Sequence, residues 1–214
     1  MDLLAQWQRV LTILNLPTEP DVVLAAPEAE PPVTEALLGL RPSARVASLE
    51  LWPERKSIHG NLPSRLPFYL HTPERAFDPG SLDLILLDHA LDDFVLHLIA
   101  QHEGLELTAE PQGEYSPGPR TLRAYWRSGD LETIVVPELT ALLGAFGRAL
   151  RDSGILILHH WVVGSDLLVG QPFDLYSDYV PLVRRWMQSA GLPLHERPLD
   201  GLDPHWWLAL TMTS

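Results

Sequence analysis

Apolar and polar positions alternate along this chain in two rhythms, and the rhythms take turns. Leu3, Leu4, Trp7, Val10, Leu11 and Leu14 recur at helical spacing and give way at Pro17, which predicts an entry helix over residues 2–15. Asp21 to Ala26 is a short, nearly continuous apolar run closed by Pro27, the pattern of a strand covered on both faces. A short helix is expected over 33–40, a second strand over Ala44 to Glu50, a helix over Ser57 to Leu62, and a third strand from Pro67 to Leu70. Leu82 to Leu87 is the clearest strand of all: it follows a Pro79-Gly80 turn, is interrupted only by Asp83, and stops at Asp88-His89. Helices are then expected over about Asp92 to His102, Glu138 to Arg151 and Asp178 to Ala190, with strands at Ile155 to Leu158, Leu192 to Arg197 and Trp206 to Met212.

Strands alternating with amphipathic helices predict an α/β fold. The sheet is expected to be seven-stranded and mostly parallel, closed by an antiparallel last strand, with helices on both faces. At 214 residues the chain suits one such domain, spanning 1–214. Residues 103–133 exceed an ordinary connection and carry Tyr115, Tyr125, Trp126 and three arginines, so an insertion or lid is expected there.

Charge narrows the partners. Acidic residues exceed basic ones to give a net charge of −13, and no Lys/Arg-rich run is present, which argues against nucleic acid. With no cysteine, thiolate chemistry and cysteine zinc sites are excluded. No apolar run approaches the ~20 residues of a membrane span and no leader pattern is visible, so a soluble, cytoplasmic protein without a membrane partner is expected.

In open α/β sheets, ligands lie outside the carboxyl ends of the strands, where Asp88, His89 and the pair His159-His160 fall. Neighbouring fourth and fifth strands would bring these groups to one rim, with only one of the two adjacent histidines facing it. A histidine oriented by Asp88 suits proton abstraction from a hydroxyl or amine. The same set could ligate a divalent ion, or the histidines could be hydrogen-bonded core groups; proton transfer is the functional expectation, through Asp88, His89 and His159, and no metal is assigned. The aromatic residues Trp161, Trp186, Trp206 and Trp207 are expected in the core or on a partner face.

Three stretches carry a resemblance. Gly80 to Asp93, Glu50 followed by Leu51-Trp52-Pro53-Glu54, and Phe146 to Leu158 resemble the fourth-strand, second-strand and helix-turn-strand elements of the class I S-adenosylmethionine-dependent methyltransferases. The resemblance implies S-adenosylmethionine as cofactor, methyl transfer to a small-molecule acceptor, and a cofactor site drawing on Ala26, Glu50, Leu51 and Asp88. Glu50 matches the family's ribose-binding acid. It leaves a homodimer open. Two positions depart from the family: His71 stands where an adenine-reading acid is expected, and the loop Pro27 to Pro32 holds no glycine. The second departure supports an alternative, a methyltransferase-like binding or partner protein that no longer takes the cofactor.

Overall fold

A computed structural model describes residues 2–25, 31–50, 64–67, 77–105, 117–161, 175 and 177–212. Seven strands form one sheet: β1 (Asp21–Ala25), β2 (Arg45–Glu50), β3 (Ser64–Pro67), β4 (Leu82–Asp88), β5 (Leu150–His159), β6 (Leu194–Arg197) and β7 (Trp207–Met212). Their order is β3-β2-β1-β4-β5-β7-β6, parallel throughout except that β7 runs antiparallel to both β5 and β6. Chain order runs outward in one direction from β1 and in the other from β4. The boundary between those two strands is therefore the point where the winding reverses, which is where open α/β sheets bind their ligands.

Strand alternation sorts the core into two layers. On one face Val22, Leu24, Leu84, Leu86, Ile155 and Ile157 pack beneath α1 (Leu3–Ile13) and α2 (Pro31–Leu40). On the other, Val23, Ile85, Leu87, Leu156 and Leu158 meet α3 (Ala90–Glu103), α4 (Pro117–Ser128), α5 (Leu131–Ala149) and α6 (Tyr179–Ala190). All seven residues of β4 are buried, which explains its unbroken apolar pattern. Its one interior charge is matched: Asp83 accepts the Asp21 N–H at 2.8 Å and an N–H of Arg151. Asp21 in turn accepts from Arg45 at 2.5 Å and Arg151 at 2.8 Å, so four strands are clamped at their amino-terminal edge. The Arg45 guanidinium bonded to Asp21 holds its carboxyl below the usual carboxylate range.

Several boundaries differ from expectation. The third strand is Ser64–Pro67, three residues earlier than its predicted start, and the helix expected at 57–62 lies outside the described residues. α5 begins at Leu131 rather than Glu138, because Leu131 and Val135 extend the buried stripe of Leu139, Leu142 and Phe146 upstream through Pro137. Much of the stretch 103–133 is thus helical, as α4 and the start of α5; residues 106–116 lie outside the described residues. β5 starts five residues early, at Leu150, where Leu150 pairs with Leu82 before a register shift. The Gly80 and Ser81 amides bond the carbonyls of Arg148 and Ala149, drawing the helix end straight into the sheet. β6 begins at Leu194 and not Leu192, just past Pro193, which lacks an amide to donate. Among the described residues no helix is long and apolar enough to cross a membrane.

Candidate active site at the carboxyl ends of β4 and β5

Asp88 and His159 are the last residues of β4 and β5 and are partners in the register. In a parallel pair this puts both side chains on the same face, the one covered by α1. His159 Nδ1 lies 2.5 Å from Asp88 Oδ1, and the two side chains are 1% and 0% exposed. The described residues give His159 no other hydrogen bond, so its second ring nitrogen is the one available to a ligand. Trp207 lies across the imidazole with ring centres 4.0 Å apart, and Trp7 of α1 meets it edge-on at 5.4 Å. The imidazole is thus packed between two indole rings. Asp88 Oδ2 is fully buried and has no hydrogen-bond partner among the described residues. A buried carboxylate oxygen in that state is costly, and native proteins keep such groups where a ligand completes them.

His89 follows at the turn from β4 into α3. Its backbone sits in the left-handed region at φ 50°, and its amide bonds the His159 carbonyl at 3.0 Å. A non-glycine residue there costs about 1 kcal/mol or more and persists when its surroundings hold it. The consequence is positional: the chain turns at once, and the imidazole is delivered to the rim beside His159, with ring centres 5.6 Å apart. His89 Nε2 accepts the Trp161 amide at 3.4 Å. One ligand atom from each of Asp88, His89 and His159 lies within 4.8 Å of the others.

His160 points to the opposite face, as strand alternation requires. There it is 1% exposed, 3.8 Å from Asp92 of the first turn of α3, and its ring is 4.9 Å from those of both His89 and Tyr179. Burial, with Asp92 and Asp93 adding to it, raises the Tyr179 hydroxyl well above the ordinary phenol value, so it stays protonated.

The structure therefore brings together Asp88, His89 and His159. Glu50 ends β2, and β1 lies between it and β4, so Glu50 and Asp88 flank the winding reversal; the Glu50 side chain, Ala26 and Leu51 lie outside the described residues. So does His71. Of the four tryptophans expected in the core or on a partner face, Trp186 and Trp207 are buried in the core, Trp206 packs against it and Trp161 is partly buried. Among the described residues three further histidines are engaged elsewhere: His195 with Thr211 at 2.9 Å, His205 near Asp178, His102 against the Tyr125 ring. Sequence reasoning missed Trp7, Asp92 and Tyr179. Asp92 carried one signal, an acid in the first turn after a strand end; the contacts of Trp7 and Tyr179 are long-range and left none.

A strand order of 3-2-1-4-5-7-6 with only β7 reversed decides the architecture. The fold is that of the class I methyltransferases. Solved structures agree. NSun6 from Pyrococcus horikoshii, solved with SFG, superposes with a TM-score of 0.52 at 10% identity, covering 97% of this chain and 52% of that one. The pyocyanin biosynthetic protein PhzM gives 0.51 at 13% identity over 96% of this chain and 54% of its own. A Methanococcus maripaludis protein assigned as an S-adenosyl-L-methionine-dependent methyltransferase gives 0.50 at 9% identity, covering all of this chain and 88% of that one. The chain thus spans about half the length of PhzM and NSun6. No protein-family model and no curated protein matches it. Asp88 and His159 end the two strands, β4 and β5, on one side of the point where the winding reverses.

Proposed function

We propose that this chain transfers a methyl group from S-adenosylmethionine to an oxygen or nitrogen of a small molecule. The observation that carries the reading is the buried Asp88–His159 pair at the ligand edge of a class I methyltransferase sheet, held by two tryptophans and offering one ring nitrogen. The residues present suit the cofactor's charge, since the orphaned Asp88 Oδ2 is a buried anion beside the crevice where a cationic ligand would lie. In this reading Glu50, the last residue of β2, takes the ribose hydroxyls as the family resemblance implies, and Ala26 and Leu51, outside the described residues, belong to the same cofactor site.

When bound, the cofactor supplies an electrophilic methyl on positively charged sulfur. The protein's part is alignment and one proton. His159, fixed by Asp88, accepts the proton of the acceptor's O–H or N–H as the lone pair is brought into line, and the tryptophan walls keep water from the ring. Small acceptors fit a rim this enclosed. The test is product formation: the protein, S-adenosylmethionine and a panel of phenols and amines are incubated and the demethylated cofactor is quantified. Turnover on at least one acceptor is expected, falling by about 10²-fold or more in His159→Gln.

A second reading has its own observation. The glycine-free stretch Pro27 to Pro32, expected as a loop although its last two residues open α2, offers few amides and two acids, Glu28 and Glu30, beside the expected place of the cofactor's carboxylate, which favours a cofactor-free binding protein. Absence of turnover across the panel, together with absence of cofactor binding, would select it.

A further inference from the structure

We propose that Asp88, His89 and His159 form a binding site for one divalent transition-metal ion of the zinc class. This goes beyond the methyl-transfer reading and stands without it. Three independent features of the rim lead there.

The first is composition. Two imidazoles and one carboxylate form a borderline donor set, which favours zinc, cobalt, nickel or iron over magnesium or calcium, whose sites are built from oxygens. The second is geometry. The three ligand atoms lie within 4.8 Å of one another, whereas ligands about 2.0–2.1 Å from a tetrahedral ion stand ~3.3 Å apart. Binding an ion would adjust the side-chain spacing, with Asp88 Oδ1 and His159 Nδ1, now 2.5 Å apart, separating to admit it. Asp88 and His159 are already register partners on central strands, and the His89 backbone is pinned by its amide bond to the His159 carbonyl. The third is an unmet need. Asp88 Oδ2 is fully buried without a hydrogen-bond partner among the described residues, and a cation supplies what that oxygen lacks.

His89 is the residue that separates a metal site from a self-contained hydrogen-bonded pair. Asp88 and His159 bond each other whatever His89 does. A histidine held in the left-handed region, its ring beside theirs, has no part in that pair but is the third corner of a ligand triangle. Three protein ligands leave a fourth position open, the arrangement of ions that meet a substrate rather than brace a fold. The ion and the proton between His159 and Asp88 are alternatives: with the ion bound, an acceptor oxygen would meet the protein through the metal, and without it through the imidazole.

The test uses no methyl donor, so its failure and that of the methyl-transfer reading are separate events. The full chain is dialysed against a chelator and titrated with Co(II), followed by visible d–d absorption, and with Zn(II) by calorimetry. One ion per chain is expected, with a dissociation constant of about a micromolar or tighter. Asp88→Asn and His89→Gly, the latter suited to the positive φ, should each weaken binding by about 100-fold, while His205→Ala leaves it unchanged. Thermal melts of every variant confirm folding, and Zn(II) should raise the melting temperature of the wild type and of His205→Ala only. No binding by the wild type at about 0.1 mM Zn(II), or equal affinity in wild type and His89→Gly, would overturn the proposal.

Discussion

Replacing Asp88 by Asn separates a carboxylate kept for a ligand from one that holds the fold. The change is isosteric, so it opens no cavity in a site that is 0% exposed. It removes the charge-assisted contact of Oδ1 with His159, worth roughly 1.5–3 kcal/mol. Against that, it removes a buried negative charge whose Oδ2 has no partner among the described residues, and the effective desolvation penalty of such a charge is several kcal/mol. The two effects oppose each other, and the second is at least as large. Asp88→Asn should therefore be as stable as the wild type or more stable, by up to about 2 kcal/mol. For a chain of this size that is a rise in melting temperature of roughly 4–8 °C, since each kcal/mol is worth about 2–4 °C. Urea unfolding followed by tryptophan fluorescence measures it as a shift in midpoint at constant slope, because Trp7 and Trp207 lie directly against His159. A loss of about 3 kcal/mol or more, the cost of breaking a buried ion pair, would refute the reasoning and make the pair a structural one.

Two further predictions concern the scaffold. A Cβ on Gly154 would lie 2.9 Å from the Leu82 carbonyl and 3.0 Å from backbone atoms of Arg151, so Gly154→Ala should destabilise by about 1–3 kcal/mol, measured by the same urea midpoint; an unchanged midpoint would count against the tight approach of β4 and β5 there. The Asp21 carboxyl has a folded-state pKa below its unfolded value, so its clamp contributes fully above about pH 4 and is lost as pH falls through the folded value. Asp21→Asn should therefore lose about 1 kcal/mol at pH 7 and progressively less as pH falls below about 4, and a deficit that does not shrink with acidification would show that the clamp is not ionic.

How much of this was readable in the sequence depends on how local each cause is. β4 was legible because burial on both faces leaves an unbroken apolar run, and its end at Asp88-His89 marked the rim. The antiparallel closing strand and the opposed directions of His159 and His160 followed from short, separate apolar runs and from strand alternation. The start of α5 was not legible, since Pro137 reads as a break although the buried stripe passes through it. Nor was β5's early beginning, which depends on hydrogen bonds from Gly80 and Ser81 to the preceding helix end. Within the site, Asp88, His89 and His159 announced themselves by falling at strand ends. What fixes them did not: Trp7 reaches His159 from a helix more than a hundred residues away in sequence, and the left-handed backbone of His89 has no signature in a chain that offers histidine where glycine or asparagine is usual.

The central claim is that the crevice between β1 and β4 takes S-adenosylmethionine, and calorimetric titration of the folded chain with the cofactor and its demethylated product tests it most directly. Binding at micromolar affinity or better, about −8 kcal/mol, is expected. Glu50→Ala should weaken it by about tenfold to a hundredfold, through roughly 1.5–3 kcal/mol of lost hydrogen bonding to the ribose, with little change in melting temperature because Glu50 ends its strand. Absence of any heat of binding at about millimolar cofactor, from protein that melts cooperatively, would contradict the account.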